Sequence, residues 1–106
     1  MSKILNIYIP SYNRPEICLD TIRKLIIQIK VYKNVRINVL DNCSKVKYKE
    51  YFLDKNDIAE YINQKKIIIK RNNVNIGMSA NILRCFEDSC SRDGWLWILS
   101  DDDYIK

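Results

Sequence analysis

Histidine is absent from these 106 residues, and glycine and proline occur only twice each. Without histidine, neither a Ser-His-Asp nor a Cys-His catalytic arrangement can form within the segment. The four cysteines, Cys18, Cys43, Cys85 and Cys90, include no C-x-x-C pair, so a zinc site would need all four thiolates. Cys18, Cys85 and Cys90 fall within helical patterns, where a free thiol acts as a small hydrophobe, and they read as reduced structural residues. No apolar run approaches the roughly 20 residues of a membrane span. The N-terminus lacks a signal peptide's long apolar stretch and cleavage site, so a cytoplasmic location is expected.

What is present is ordinary globular chemistry, 47% hydrophobic and 29% charged, in a length that suits one small domain. The net charge is +5, which suits nucleic acid, an anionic membrane surface or a phosphate-bearing ligand. The lysines are scattered, however, and no aromatic-basic ladder of the kind that binds single strands occurs. Solvated helix faces and strand ends account for the charge, and no nucleic-acid partner is expected.

Hydrophobic periodicity divides the chain into alternating elements. Ile4 to Ile9 reads as a strand ending at Pro10. Asn13, three residues before Glu16, looks like a capping box with Pro15 in the first turn. The helix that follows puts Cys18, Ile22, Leu25, Ile26 and Ile29 on one face. Val35 to Leu40 is a second strand, ending in Asp41 and Asn42. Residues 47–64 read as helical, with a candidate break at Asp54 to Asp57. Ile67 to Ile69 reads as a third, fully buried strand. Asn72 to Gly77 is turn chemistry. Met78, Ile82 and Phe86, with Leu83 and Cys90 beside them, mark another amphipathic helix. Gly94 closes the turn before a Trp95 to Leu99 strand.

Such alternation predicts an α/β fold with an open, mostly parallel sheet and helices on both faces. Ligands in these sheets bind outside the carboxyl ends of the strands. Every conspicuous polar cluster falls at such an end: Ser11-Tyr12-Asn13, Asp41-Asn42, Asn72 to Gly77, and Asp101 to Asp103. Tyr12 could lie against a base or pack on the helix. Asp41 could accept from an imide N–H or a ribose hydroxyl, or cap its own turn. Gly77 and Asn81 could bring backbone N–H groups near a phosphate, or form a plain turn and cap.

The run Trp95 to Tyr104 is the most informative. It carries an apolar strand straight into three consecutive carboxylates, Asp101, Asp102 and Asp103. Adjacent carboxylates repel, and a hard divalent cation bridging to a phosphate relieves that repulsion. The alternative is a solvated acidic turn. In extended backbone Asp101 and Asp103 would share one side and Asp102 would face the other.

Four segments together resemble the N-terminal half of family 2 glycosyltransferases, the large inverting group with the GT-A fold. They are Ile7 to Arg14, Val39 to Asn42, Asn75 to Asn81 and Trp97 to Asp103, in the family's order across essentially the whole chain. The finer likeness is to bacterial transferases of surface-polysaccharide synthesis. The resemblance implies strand order 3-2-1-4 and a nucleotide-sugar donor such as a UDP-sugar. It also implies roles: Pro10, Ser11 and Tyr12 framing the base, Asp41 at its imide edge, and Asp101 toward the ribose or sugar. Asp102 would reach an Mg²⁺ or Mn²⁺ ion on the diphosphate, with Asp103 in support. Asn13, Arg14, Asn42 and Asn81 would line the site. Ser100 stands where the family often has Asp.

In that family the general base and the acceptor pocket lie downstream, beyond Lys106. Residues 1–106 are therefore expected to be a donor-binding segment truncated before the acceptor half, inactive alone. A saccharide or lipid-linked acceptor is implied, and the positive charge would favour peripheral association at the inner membrane face. With order 3-2-1-4 the Trp95 to Leu99 strand becomes an open edge, and self-association through it is expected. The main alternative is a non-catalytic α/β nucleotide-binding or interaction module. A phospho-receiver or aspartyl-phosphate phosphatase wants acids after the first strand, where Pro10 to Asn13 stand. A nucleotidyltransferase would carry a Gly-rich basic loop there, and a dehydrogenase G-x-G-x-x-G.

Overall fold

The computed structural model describes residues 4–29, 34–90 and 94–101. In chain order the elements are β1 (Ile4–Ser11), α1 (Pro15–Ile29), β2 (Val35–Asp41), α2 (Tyr48–Leu53), α3 (Asn56–Asn63), β3 (Ile67–Arg71), α4 (Met78–Cys90) and β4 (Gly94–Ile98). All strand pairs are parallel, and the sheet order is β3-β2-β1-β4. This is the GT-A-type Rossmann-like arrangement. Its register sets Ile7 beside Ile37 and Trp97, and Ile9 beside Val39.

Because strand side chains alternate between faces, each face gathers its own core. One holds Ile7, Ile9, Ile37, Val39 and Ile67 beneath Cys18, Ile22 and Leu25 of α1, Phe52 of α2 and Ile58 of α3. The other holds Tyr8 and Leu40 beneath Cys85 of α4, with Leu96 and Ile98 packed alongside. The large apolar side chains buried here each contribute about 1.5–3 kcal/mol relative to exposure. No helix among the described residues is long and apolar enough to cross a membrane.

Several local expectations need correction. Asn13 does not cap α1: its Oδ1 accepts instead from the Lys45 N–H at 2.8 Å, and its φ of 54° is left-handed. The helix begins at Pro15, with Cys18 N–H bonded to the Arg14 carbonyl. β3 is not fully buried. Only Ile67 is, because β3 is a sheet edge and Lys70 and Arg71 reach the surface. On α4 the inward positions are Asn81 and Cys85, while Met78, Leu83 and Phe86 are exposed. The helix over residues 47–64 does break, into α2 and α3, at Asp54 and Lys55.

Candidate functional site

Parallel pairing brings all four strand C-termini to one edge of the sheet. A cleft of about 380 Å³ opens there, between the loop after β1, the turn before α4 and the end of β4. Seven of the site residues expected from sequence line it: Pro10, Ser11, Tyr12, Arg14, Asn42, Asn81 and Asp101. Asn13 and Asp41 are not among its lining residues. Its other wall is apolar, formed by Met78 and Ile82 of α4 with Ile98 and Leu99. Tyr12 stands 43% exposed at the cleft.

Asp101 is the buried acid of the cleft. Ser11 Oγ donates to its Oδ2 at 2.7 Å, and the Arg14 guanidinium meets Oδ1 at 3.2 Å. Thr21 of α1 donates to its backbone carbonyl at 2.6 Å. Ser11 has one proton, and Asp101 receives it, so the 2.7 Å contact between Ser11 and Tyr48 has the tyrosine as donor. The Tyr48 oxygen in turn accepts the Arg14 N–H at 2.8 Å. Burial, the main cause, raises the Tyr48 hydroxyl's pKa and keeps it a donor. Burial, and then the Asp101 charge, likewise push up the Cys18 thiol, which therefore stays neutral beneath the site.

A second network is built from amides. Asn72 Nδ2 donates to Asn42 and Asn81, Asn42 Nδ2 donates to Asn75, and Asn81 Nδ2 donates to the Leu40 carbonyl. Asn42 Oδ1 also accepts the Ile76 N–H, and Asn75 Oδ1 the Gly77 N–H. These contacts fasten the 75–77 turn, and hence the N-terminus of α4, to the end of β2. Asn42 and Asn81 thus shape the cleft wall through their amides. Asp41 is 1% exposed and accepts from Ser44 N–H, Tyr48 N–H and Arg71 at 2.9, 3.2 and 2.8 Å.

With this geometry the family match is decisive, since the model described as Glycosyl transferase family 2 covers residues 6–106. The chain belongs to glycosyl transferase family 2. Comparison with curated proteins gives no match. Among solved structures its fold is similar to that of S. aureus TarS, with a TM-score of 0.72 and 18% identity over 97% of this chain and 17% of that one. TarS 1–349 in complex with UDP-GlcNAc gives a TM-score of 0.70 at 17% identity, over 97% of this chain and 28% of that one. Mannosyltransferase PcManGT from Pyrobaculum calidifontis, in complex with GDP-Man and Mn²⁺, gives 0.72 at 13% identity, over 96% and 28%. This family 2 chain therefore spans less than a third of the length of each of these structures.

Two of the site acids expected in this family 2 chain, Asp102 and Asp103, lie outside the described residues. Among the described residues no three carboxylate or thiolate groups gather as metal ligands. Asp101, the described member of the run, presents hard oxygen donors of the kind Mg²⁺ or Mn²⁺ takes. Sequence reasoning missed Tyr48, Thr21 and Arg71. Arg71 sits at a strand's carboxyl end, a position that the strand-end rule covers. Tyr48 and Thr21 are helix residues whose role depends on partners 37 and 80 positions away, and no local signal marks them.

Proposed function

We propose that this chain is the nucleotide-sugar-binding part of an inverting, metal-dependent glycosyltransferase of bacterial surface-polysaccharide synthesis. The observation that carries the proposal is the convergence of Tyr12, Arg14, Asn42 and Asp101, from three separate strand ends, on one cleft in a family 2 chain. Structures of similar fold that hold UDP-GlcNAc, or GDP-Man with Mn²⁺, support it.

In this proposal Pro10, Ser11 and Tyr12 frame the base, with the exposed Tyr12 ring against it. A carboxylate has about four acceptor positions, and three of those on Asp41 are filled. We assign the fourth to an imide N–H of the base, which must displace the contacts covering it. Asp101 faces the ribose, and Asn13 acts behind the cleft by tying the loop after β1 to Lys45. Asp102 and Asp103 would hold Mg²⁺ or Mn²⁺, whose charge stabilises the departing nucleoside diphosphate. The acceptor is a saccharide or a lipid-linked saccharide. The whole protein works in the cytoplasm, at the inner membrane face, and transfer needs its acceptor half.

The test is a titration of the chain with UDP and Mg²⁺ or Mn²⁺, followed by amide NMR. Saturable shifts are expected at residues 11–14, 41–42 and 98–101. Failure to perturb these amides at about 10 mM UDP, where binding would be worth under about 3 kcal/mol, sinks the proposal. Sugar transfer by the 106-residue chain alone would overturn its assignment as an incomplete donor half.

A further inference from the structure

Tyr48 is fully buried, and it is not among the residues that line the cleft. It nonetheless reaches both of the described acids at the strand ends. Its backbone N–H donates to Asp41 Oδ2 at 3.2 Å, and its hydroxyl meets Ser11 Oγ at 2.7 Å. Ser11 in turn donates to Asp101 Oδ2 at 2.7 Å. Asp41 ends β2 and Asp101 follows β4, the two strands that flank β1, and Ser11 ends β1 between them. One residue of α2 therefore spans three strand ends. Its ring packs against Phe52, with centroids 5.6 Å apart, which gives the hydroxyl a fixed place. Each proton along this chain has one place to go. Ser11 gives its proton to Asp101, so Tyr48 is the donor to Ser11. The phenol oxygen accepts the Arg14 N–H, and Ser44, whose side chain also bonds it, must be the donor in that contact.

A serine hydroxyl can rotate, and can either donate or accept. Ser11 lines the cleft, yet with Tyr48 donating to it and Asp101 accepting from it, its proton has one direction. Asp101 is thereby held as an acceptor. A carboxylate has about four acceptor positions, and among the described residues Ser11 and the Arg14 guanidinium take one each. Those left over accept only, so a ligand meets Asp101 through its own donors. We propose that Tyr48 is a positioning residue that sets the hydroxyl selectivity of the cleft, by aiming the Ser11 proton at Asp101 and so holding that carboxylate for ligand O–H groups. This rests on the nucleotide-sugar proposal above and deepens it, since the hydroxyls concerned are those of the ribose. A buried acceptor placed for a hydroxyl penalises an analogue that lacks it, because the carboxylate then goes without that partner.

Calorimetric affinities for UDP and 2′,3′-dideoxy-UDP, with Mg²⁺ present, are compared on the wild-type chain, Tyr48→Phe, Ser11→Ala and the double variant. Each is checked for folding by its amide spectrum. The wild-type chain should favour UDP at least about tenfold, the scale of a hydrogen bond to a charged group. Tyr48→Phe keeps the ring and the N–H bond to Asp41, and should cut that preference to about threefold or less. Ser11→Ala should do the same, and the double variant should cut it no further, since both act along one chain of contacts. Equal weakening of both ligands by Tyr48→Phe would mark the residue as merely structural and overturn the inference. So would single effects that multiply in the double variant. Should Tyr48→Phe not fold, Ser11→Ala decides, and an unchanged preference overturns the inference. A wild-type chain that binds both nucleotides equally overturns it too, while nucleotide binding stands. If the wild-type chain binds neither, the nucleotide-sugar proposal falls and this inference falls with it.

Discussion

Asp41 illustrates how a single residue can be found from sequence while its partners are not. Its position after an apolar strand marked it, but Ser44, Tyr48 and Arg71 reach it only because the fold brings three segments together. Asp41→Ala would strand two backbone N–H donors and a partly buried guanidinium. We expect a loss of about 3 kcal/mol, the lower end for breaking a buried ion pair, read as a lowered urea midpoint. Arg71→Ala should cost less, because the Asp41 carboxylate keeps both backbone donors. The reverse order would show that Asp41 is not the hub of this contact set. The buried thiols give a second residue-scale expectation. Burial raises Cys18 above its ordinary 9.0 and pushes Cys85 up to about 12. A raised folded pKa means that stability from the neutral thiol is complete below pH 9.0 and is lost as pH climbs through the folded value. Urea midpoints should therefore fall above pH 9.0, and fall less steeply in the Cys18→Ala/Cys85→Ala variant. An unchanged slope in that variant would remove the thiols as the cause.

At the level of elements, β4 joins the sheet through a close approach that only glycine permits. Gly94 lies opposite Ile4 with φ +127°, and a Cβ there would come within 2.0 Å of the Ile4 carbonyl oxygen. Gly94→Ala must push the strands apart where their pairing starts, at about 2 kcal/mol or more, the scale of backbone strain. Gly77 is the control. Its φ is +85° but a Cβ would meet open space, so Gly77→Ala should cost only about 1 kcal/mol of left-handed strain. Hydrogen exchange at Trp95 to Ile98 would report the difference, and equal protection in the two variants would refute it. The existence and order of the elements were legible in the sequence because alternation and helical spacing are local properties. Burial was less so, since it depends on neighbours. The Met78, Ile82, Phe86 stripe predicted an inward face for α4, yet Asn81 lies inward because Asn72 and the Leu40 carbonyl complete its hydrogen bonds. The three isoleucines of β3 likewise read as a fully buried strand, whereas only Ile67 is buried because β3 lies at the sheet edge. In the site, the strand-end clusters were visible one by one. Their union through Tyr48, Thr21 and Arg71 was not, because those contacts link residues far apart in sequence.

Across the whole molecule the two sheet edges differ in how they meet solvent. The β3 edge ends in Lys70 and Arg71, paired with Asp88 and Asp41, and charge on an edge discourages further strand pairing. The β4 edge, Gly-Trp-Leu-Trp-Ile, carries no charge within the strand. Trp95 is 67% exposed and Trp97 43%, both on the α1-side face next to Leu5 and Ile7. Two exposed indoles on one edge offer a large apolar area for another strand to bury. We expect the chain to self-associate through β4 as concentration rises, with tryptophan emission shifting to the blue. A net charge of +5 on each copy opposes the approach, so added salt should strengthen association by screening that repulsion. Trp95→Lys/Trp97→Lys should give a monomer, while Ile68→Lys on the β3 edge should leave association intact. Sedimentation that stays monomeric at the highest attainable concentration, with or without salt, would rule this interface out. Association abolished equally by Ile68→Lys would move it to the opposite edge.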